Sequence, residues 1–223
     1  MSIKDNLAEI RKELPDGVKL IAVSKYHTVD EVREAYEAGQ RLFGENRVQE
    51  LEEKHPQLPE DIEWHLIGTL QRNKVKYIVP YVHTIHSIDS EKLLLEVEKQ
   101  CARLGRERIK VLLQIHISGE ETKHGFSKEE LQALLESDTI STLKHVEIVG
   151  IMGMASLTDD LSKVESEFAR MKELFEELKA GAFAHQESFK ELSMGMSQDY
   201  TMALQHGTTY VRLGTAVFGA PRK

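Results

Sequence analysis

With 223 residues, 40% hydrophobic and 30% charged, the chain has apolar content for a sizeable core and a balance of charge that excludes a disordered polymer. The formal net charge is −8 and no Lys/Arg block outruns its acidic neighbours, which argues against nucleic-acid or membrane binding through bulk electrostatics. A single cysteine, Cys101, permits no intrachain disulfide, and neither an apolar leader nor a run of about 18 apolar residues occurs, so a cytoplasmic protein is expected.

A helical pattern over Ile3–Leu14 comes first. Short β-branched runs then alternate with longer segments of helical period. The predicted strands are Val18–Lys25, Arg41–Glu45, Ile62–Gly68, Thr84–Ile88, Ile109–Ser118, Val146–Met154, Lys190–Met196 and Tyr210–Phe218. Helical patterns over Thr28–Ala38, Glu91–Leu104, Lys128–Leu135 and Leu161–Leu178 lie between them, several opened by Ser, Thr or Asp and one closed by Gly39. No Pro/Gly/Ser-rich linker interrupts this rhythm and no G-x-G-x-x-G follows the first strand. The pattern predicts a single (β/α)8 TIM barrel over residues 1–223 rather than an open doubly wound sheet.

Alternation within the strands sorts their faces. Ile21, Val23 and Lys25 share one parity, as do Gln114, His116 and Ser118, and Tyr210, Arg212 and Gly214. Because the face toward the helices must be apolar, the polar parity is predicted to line the lumen, with functional groups gathered where strands end at the carboxyl face.

Lys25 closes an otherwise apolar run, Leu20-Ile21-Ala22-Val23, where an ammonium is costly unless it reaches water or an anion. One reading is a strand-end lysine that snorkels outward. The other is a partly desolvated lysine whose neutral amine forms an imine with an aldehyde. The stretch Leu192–Gly219 favours the second, because Ser197 and the run Arg212-Leu213-Gly214-Thr215 end adjacent strands, where hydroxyls and backbone N–H groups converge on one phosphate. Arg212, on the inward parity, requires an acceptor such as a ring nitrogen with a free lone pair. A pyridine nitrogen so faced stays unprotonated, and such a cofactor is poorly suited to transamination.

The motifs Ala22-Val23-Ser24-Lys25, Phe43-Gly44-Glu45-Asn46 with Gln49-Glu50, Trp64-His65-Leu66-Ile67-Gly68 with Gln71 and Asn73-Lys74, Ser87-Ile88-Asp89-Ser90, Leu192–Ser197 and Arg212–Gly219 together resemble the pyridoxal phosphate homeostasis protein family over nearly the whole chain. The resemblance implies a barrel like the amino-terminal domain of alanine racemase and pyridoxal 5′-phosphate (PLP) held as a Schiff base on Lys25. It further implies Arg212 near the pyridine nitrogen, Ser197, Gly214 and Thr215 around the phosphate, Asn46 near the ring, and Met196 lining the pocket. Tyr26-His27 follow the lysine where the family often has Thr and a nearby Pro. Lys123 stands where relatives carry a second lysine implicated in handing the cofactor over, and a solvated loop lysine is the other reading of it.

The role implied is binding and delivery of PLP in its intracellular homeostasis, without established catalysis and with PLP-dependent apoenzymes as partners. The charged helix faces favour a monomer. The rival reading is a PLP-dependent racemase or lyase that uses Tyr26, His27 or His65 as a second base. It is disfavoured because the chain ends four residues after Gly219, without the carboxyl-terminal β domain that supplies that base in alanine racemase. A metallohydrolase built on His65, His86 and His116 is a third reading; strand one lacks a His-x-His, and no metal is expected.

Overall fold

Helix α1 (Ile3–Glu13) shows how local chemistry opens the chain. Ser2 accepts from the Asp5 N–H at 3.1 Å while Asp5 accepts from the Ser2 N–H at 3.2 Å, a reciprocal cap that satisfies two orphan donors. Ile3, Leu7 and Ile10 form its buried stripe. The computed structural model describes residues 2–118 and 125–220, and Lys123 lies outside the described residues.

Eight parallel strands follow in chain order around a closed barrel. They are β1 (Lys19–Val23), β2 (Leu42–Glu45), β3 (Glu63–Leu66), β4 (Thr84–Ile88), β5 (Ile109–Gln114), β6 (Val146–Met152), β7 (Glu191–Met196) and β8 (Tyr210–Leu213). Between and after them run α2 (Val29–Glu37), α3 (Val48–Lys54), α4 (Val75–Ile78), α5 (Glu91–Leu104), α6 (Lys128–Glu136), α7 (Thr139–Thr142), α8 (Leu161–Ala180), α9 (Tyr200–Gln205) and α10 (Thr215–Phe218). β8 closes the ring on β1 with Lys19 opposite Tyr210 and Ile21 opposite Arg212. No helix among the described residues is long and apolar enough to cross a membrane.

The alternation sorts the side chains as expected. Leu20, Ala22, Phe43, Trp64, Leu66, Val111 and Leu113 join the core beneath the helices, whereas Leu112, Val149 and Met152 form a separate cluster on the other face. The lumen side also carries His65, His86, Ser193 and Arg212, all buried.

The carboxyl ends of several strands are shorter than predicted. β1 stops at Val23; Ser24 still donates to Gly44 O at 3.0 Å, but the chain then turns, with the His27 N–H on Ser24 O at 3.0 Å and Tyr26 in the left-handed region (φ 66°). β5 stops at Gln114, because from Ile115 onward the backbone pairs with Phe126. The predicted strand to Phe218 ends at Leu213, and Thr215–Phe218 is the helical turn α10, with the Val217 and Phe218 N–H groups both on Gly214 O at 2.9 Å. A short apolar run such as Ala216-Val217-Phe218 has no period that separates helix from strand.

At the end of β7, Gly195 has φ +93°, and a Cβ there would lie 2.7 Å from Ala203 Cβ and 3.0 Å from Tyr200 Cα. Gly195→Ala is therefore expected to lower the unfolding free energy by about 2–4 kcal/mol, left-handed strain adding to overpacking. Urea denaturation measures it, and a loss below about 0.5 kcal/mol, the scale of a neutral surface change, would contradict the packing described.

Candidate functional site

Lys25 sits on the turn after β1, half-buried, its Nζ 5.8 Å from the Tyr26 ring centroid. Among the described residues its ammonium has no hydrogen-bond or ion-pair partner. The neighbouring strand β8 is followed by Gly214, where a Cβ would lie 3.4 Å from Val23 O, so the two strand ends are in close contact. From there the N–H groups of Gly214 and Ala216 converge on Ser197 Oγ, at 3.2 and 3.4 Å. Two backbone donors thus meet at one hydroxyl, with an exposed threonine between them at position 215.

Met196 is half-buried and stands opposite Arg212 in the register of β7 and β8; its N–H donates to Asp199 Oδ1 at 2.6 Å. Asn46, just after β2, is half-buried with its Oδ1 enclosed and without a partner among the described residues. Lys25, Asn46, Met196, Ser197, Arg212, Gly214 and Thr215 thus all lie at or beyond the carboxyl ends of β1, β2, β7 and β8.

Arg212 is buried and, among the described residues, has no carboxylate in contact. Its Nη1 donates to Ser193 Oγ at 2.6 Å and its Nη2 to Gly153 O at 3.0 Å. Burial pulls the guanidinium down to about 10, opposed by the charge of Asp199. Burial in turn raises the Asp199 carboxyl, opposed by its backbone hydrogen bond and by Arg212.

A guanidinium can only donate, so Ser193 Oγ accepts from Arg212, and the same oxygen lies 3.0 Å from His86 Nδ1. His86 Nε2 in turn shares one hydrogen bond with His65 Nδ1 at 2.8 Å. Both rings are held neutral by burial, which pushes them well below their ordinary value of 6.5. The Nε2 of His65 has no partner among the described residues. A file of hydrogen bonds thus runs from Arg212 through the lumen.

Of the histidines weighed as metal ligands, His65 and His86 are hydrogen-bonded to each other, and His116 lies beyond the end of β5. The group of potential metal ligands found among the described residues is instead Glu63, His65 and His83, within 4.8 Å of one another at the amino ends of β3 and β4. Of the suggested second bases, His27 is buried, stacked on Phe218 at 4.6 Å and 3.4 Å from Glu31 Oε2, while His65 is engaged in the lumen. Tyr26 is exposed.

Sequence reasoning missed the partners of the lysine turn. Ser24 Oγ donates to Glu45 Oε1 at 2.6 Å, Lys54 Nζ donates to the same oxygen at 2.6 Å and to Ser24 O at 2.7 Å, and Tyr26 N–H donates to Glu50 Oε2 at 2.8 Å. The i,i+4 spacing of Glu50 and Lys54 on α3 was the available signal.

The alanine racemase N-terminal domain family matches residues 1–221. The chain belongs to this family. Within it, a pyridoxal phosphate homeostasis protein of Pasteurella multocida is 38% identical over 99% of this chain and 98% of its own length. One of Bos taurus is 43% identical over 90% of this chain and 76% of its own length. PipY of Synechococcus elongatus, whose structure is known with PLP bound, superposes with a TM-score of 0.88 at 40% identity, covering 98% of this chain and all of that one.

The two neutral histidines fix a pH dependence. The unfolded chain takes up protons on both as pH falls below about 6.5 while the native barrel does not, so stability present above that value is lost below it. Between pH 6 and 5 the unfolding free energy is expected to fall by up to about 1.4 kcal/mol per pH unit for each ring. Urea midpoints of wild type and His86→Gln across this range check it; equal slopes in the two proteins would contradict the neutral pair.

Proposed function

We propose that this protein binds PLP as a Schiff base on Lys25 at the open carboxyl end of the barrel, and holds it for delivery to PLP-dependent apoenzymes rather than for catalysis. The observation that carries this reading is the juxtaposition of a lysine amine just after β1, without a hydrogen-bond or ion-pair partner among the described residues, with two convergent backbone N–H groups just after β8. A phosphate fits the second feature and an aldehyde the first. The enclosed, unpartnered Asn46 Oδ1 is a further polar atom that suits a ligand group. The names of the P. multocida and B. taurus relatives and the PLP bound to PipY support the same cofactor.

The chemistry the group supplies is an aldehyde carbon, which the Lys25 amine captures with loss of water. Gly214 and Ala216 would donate backbone N–H groups to the phosphate, Ser197 and Thr215 would add hydroxyls, and Met196 would pack beside them. Arg212, braced by Ser193 and Gly153, would face the ring nitrogen, with no proton-accepting atom to exchange with it. A two-base racemase needs a base on each side of the substrate carbon. Of the three candidate second bases, His27 and His65 are occupied in buried contacts and Tyr26 is exposed, which favours storage over racemisation. We place the protein in the cytoplasm, as one barrel domain acting as a monomer.

Borohydride reduction of the protein incubated with PLP, followed by peptide mapping, is expected to place the adduct on Lys25 and to lose it in Lys25→Ala; an equal yield in that variant would defeat the assignment. Ser197→Ala with Thr215→Val is expected to weaken PLP retention by about 1.5–3 kcal/mol for each charge-assisted hydrogen bond removed. Equilibrium dialysis measures this, and unchanged affinity would move the phosphate elsewhere.

A further inference from the structure

Beneath the turn that carries Lys25 lies a buried ion pair. Glu45 at the end of β2 and Lys54 at the end of α3 have side chains 0% and 6% exposed, with Lys54 Nζ 2.6 Å from Glu45 Oε1. Removing two charges from water costs about as much as their attraction returns, so such a pair is a poor device for stability alone. Its contacts point to a different use.

An ammonium has three donors, and the hydrogen bonds of Lys54 go to Ser24 O at 2.7 Å, Glu45 Oε1 at 2.6 Å and Glu50 Oε2 at 3.3 Å. Each acceptor is part of the lysine turn or bound to it. Glu45 Oε1 also holds the Ser24 hydroxyl at 2.6 Å, and Glu50 Oε2 also holds the Tyr26 N–H at 2.8 Å. One cation therefore fixes the residues on both sides of Lys25. Lys25 itself is left out of the network.

The backbone at this point is strained. Tyr26 (φ 66°) is the non-glycine residue of positive φ among the described residues, a conformation costly for a side chain with a Cβ. Such a conformation persists only where its surroundings over-determine it, and strain of this kind gathers at sites where a group must be held for chemistry. Here the surroundings are the Glu50 carboxylate on the Tyr26 N–H and the His27 N–H closing on Ser24 O.

We propose that Lys54, acting through Glu45 and Glu50, is a positioning residue for Lys25: it locks the Ser24–Tyr26 turn in the backbone conformation that presents the lysine amine to an aldehyde at the barrel mouth. The proposal rests on Lys25 as the attachment residue. Glu45, Glu50 and Lys54 touch no reacting atom; they remove the freedom of the turn before the amine nitrogen bonds the aldehyde carbon and the carbonyl oxygen leaves as water. Order established beforehand in this way appears in the rate of capture.

The test is a time course in which protein and PLP are mixed, quenched with borohydride, and the modified Lys25 peptide counted by mass. Amide hydrogen exchange at Tyr26 in the protein without PLP is read alongside. Lys54→Met and Glu50→Ala are expected to capture PLP at least about tenfold more slowly than wild type and to exchange the Tyr26 amide faster, while Glu50→Gln, which keeps an oxygen acceptor, stays within about twofold of wild type. Glu50 lies at the edge of the network, its side chain 18% exposed, so Glu50→Ala carries the test if Lys54→Met does not fold. Faster Tyr26 exchange with an unchanged capture rate would reduce the network to a structural brace and overturn the proposal. So would equal loss in Glu50→Gln and Glu50→Ala. A wild-type adduct on a lysine other than Lys25 overturns the attachment reading itself, and is recognised by the peptide that carries the mass.

Discussion

The pairing of β8 with β1 is the constraint on which the rest depends. It sets Ile21 opposite Arg212 and so brings the lysine turn beside the Gly214 turn, the two features that act together at the barrel mouth. Residues from the two ends of the chain hold the seam shut. Asn6 of α1 donates to Val217 O of α10 at 2.9 Å, and α1 packs against α10 across the outside of the closure. At the opposite end Lys19 reaches Glu191 at 2.7 Å, so the seam is fastened at both rims.

Placing Arg212 inside the barrel imposes a second demand. A buried guanidinium without a carboxylate must donate to neutral acceptors, and the barrel supplies a serine hydroxyl and a backbone carbonyl. Ser193 then meets His86, and His86 meets His65, so one chain of hydrogen bonds ties both rings to the arginine. The two hydrogen bonds hold the buried guanidinium in one orientation. The apolar cluster of Leu112, Val149 and Met152 forms a separate patch on the lumen side.

The strands and their order were legible because strand parity and helical period differ along the chain, and the inward parity placed Tyr210, Arg212 and Gln114 correctly. Strand ends were not, for reasons visible at single residues. Nothing local marks the left-handed turn at Tyr26, and Ala216-Val217-Phe218 reads equally as strand or helical turn. The sequence paired Ser197 with Gly214, and the structure joins the two through one hydroxyl. The clamp of Glu45, Glu50 and Lys54 was hidden, since a charged side chain in a helix is by default solvated, and only the packing of α3 against β2 buries Lys54. The partners of the buried histidines were hidden for a related reason: His86 lies against Ser193, a residue on a distant strand.

A lysine at a strand end, an arginine in the lumen and two amides on a neighbouring loop form one site only if a single ligand spans them. A crystal structure of the protein with PLP tests that most directly. The account predicts electron density continuous from Lys25 Nζ to the cofactor, Arg212 beside the ring nitrogen, and the phosphate on the N–H groups of Gly214 and Ala216. Density that joins PLP to another lysine, or a phosphate bound away from these amides, would contradict it.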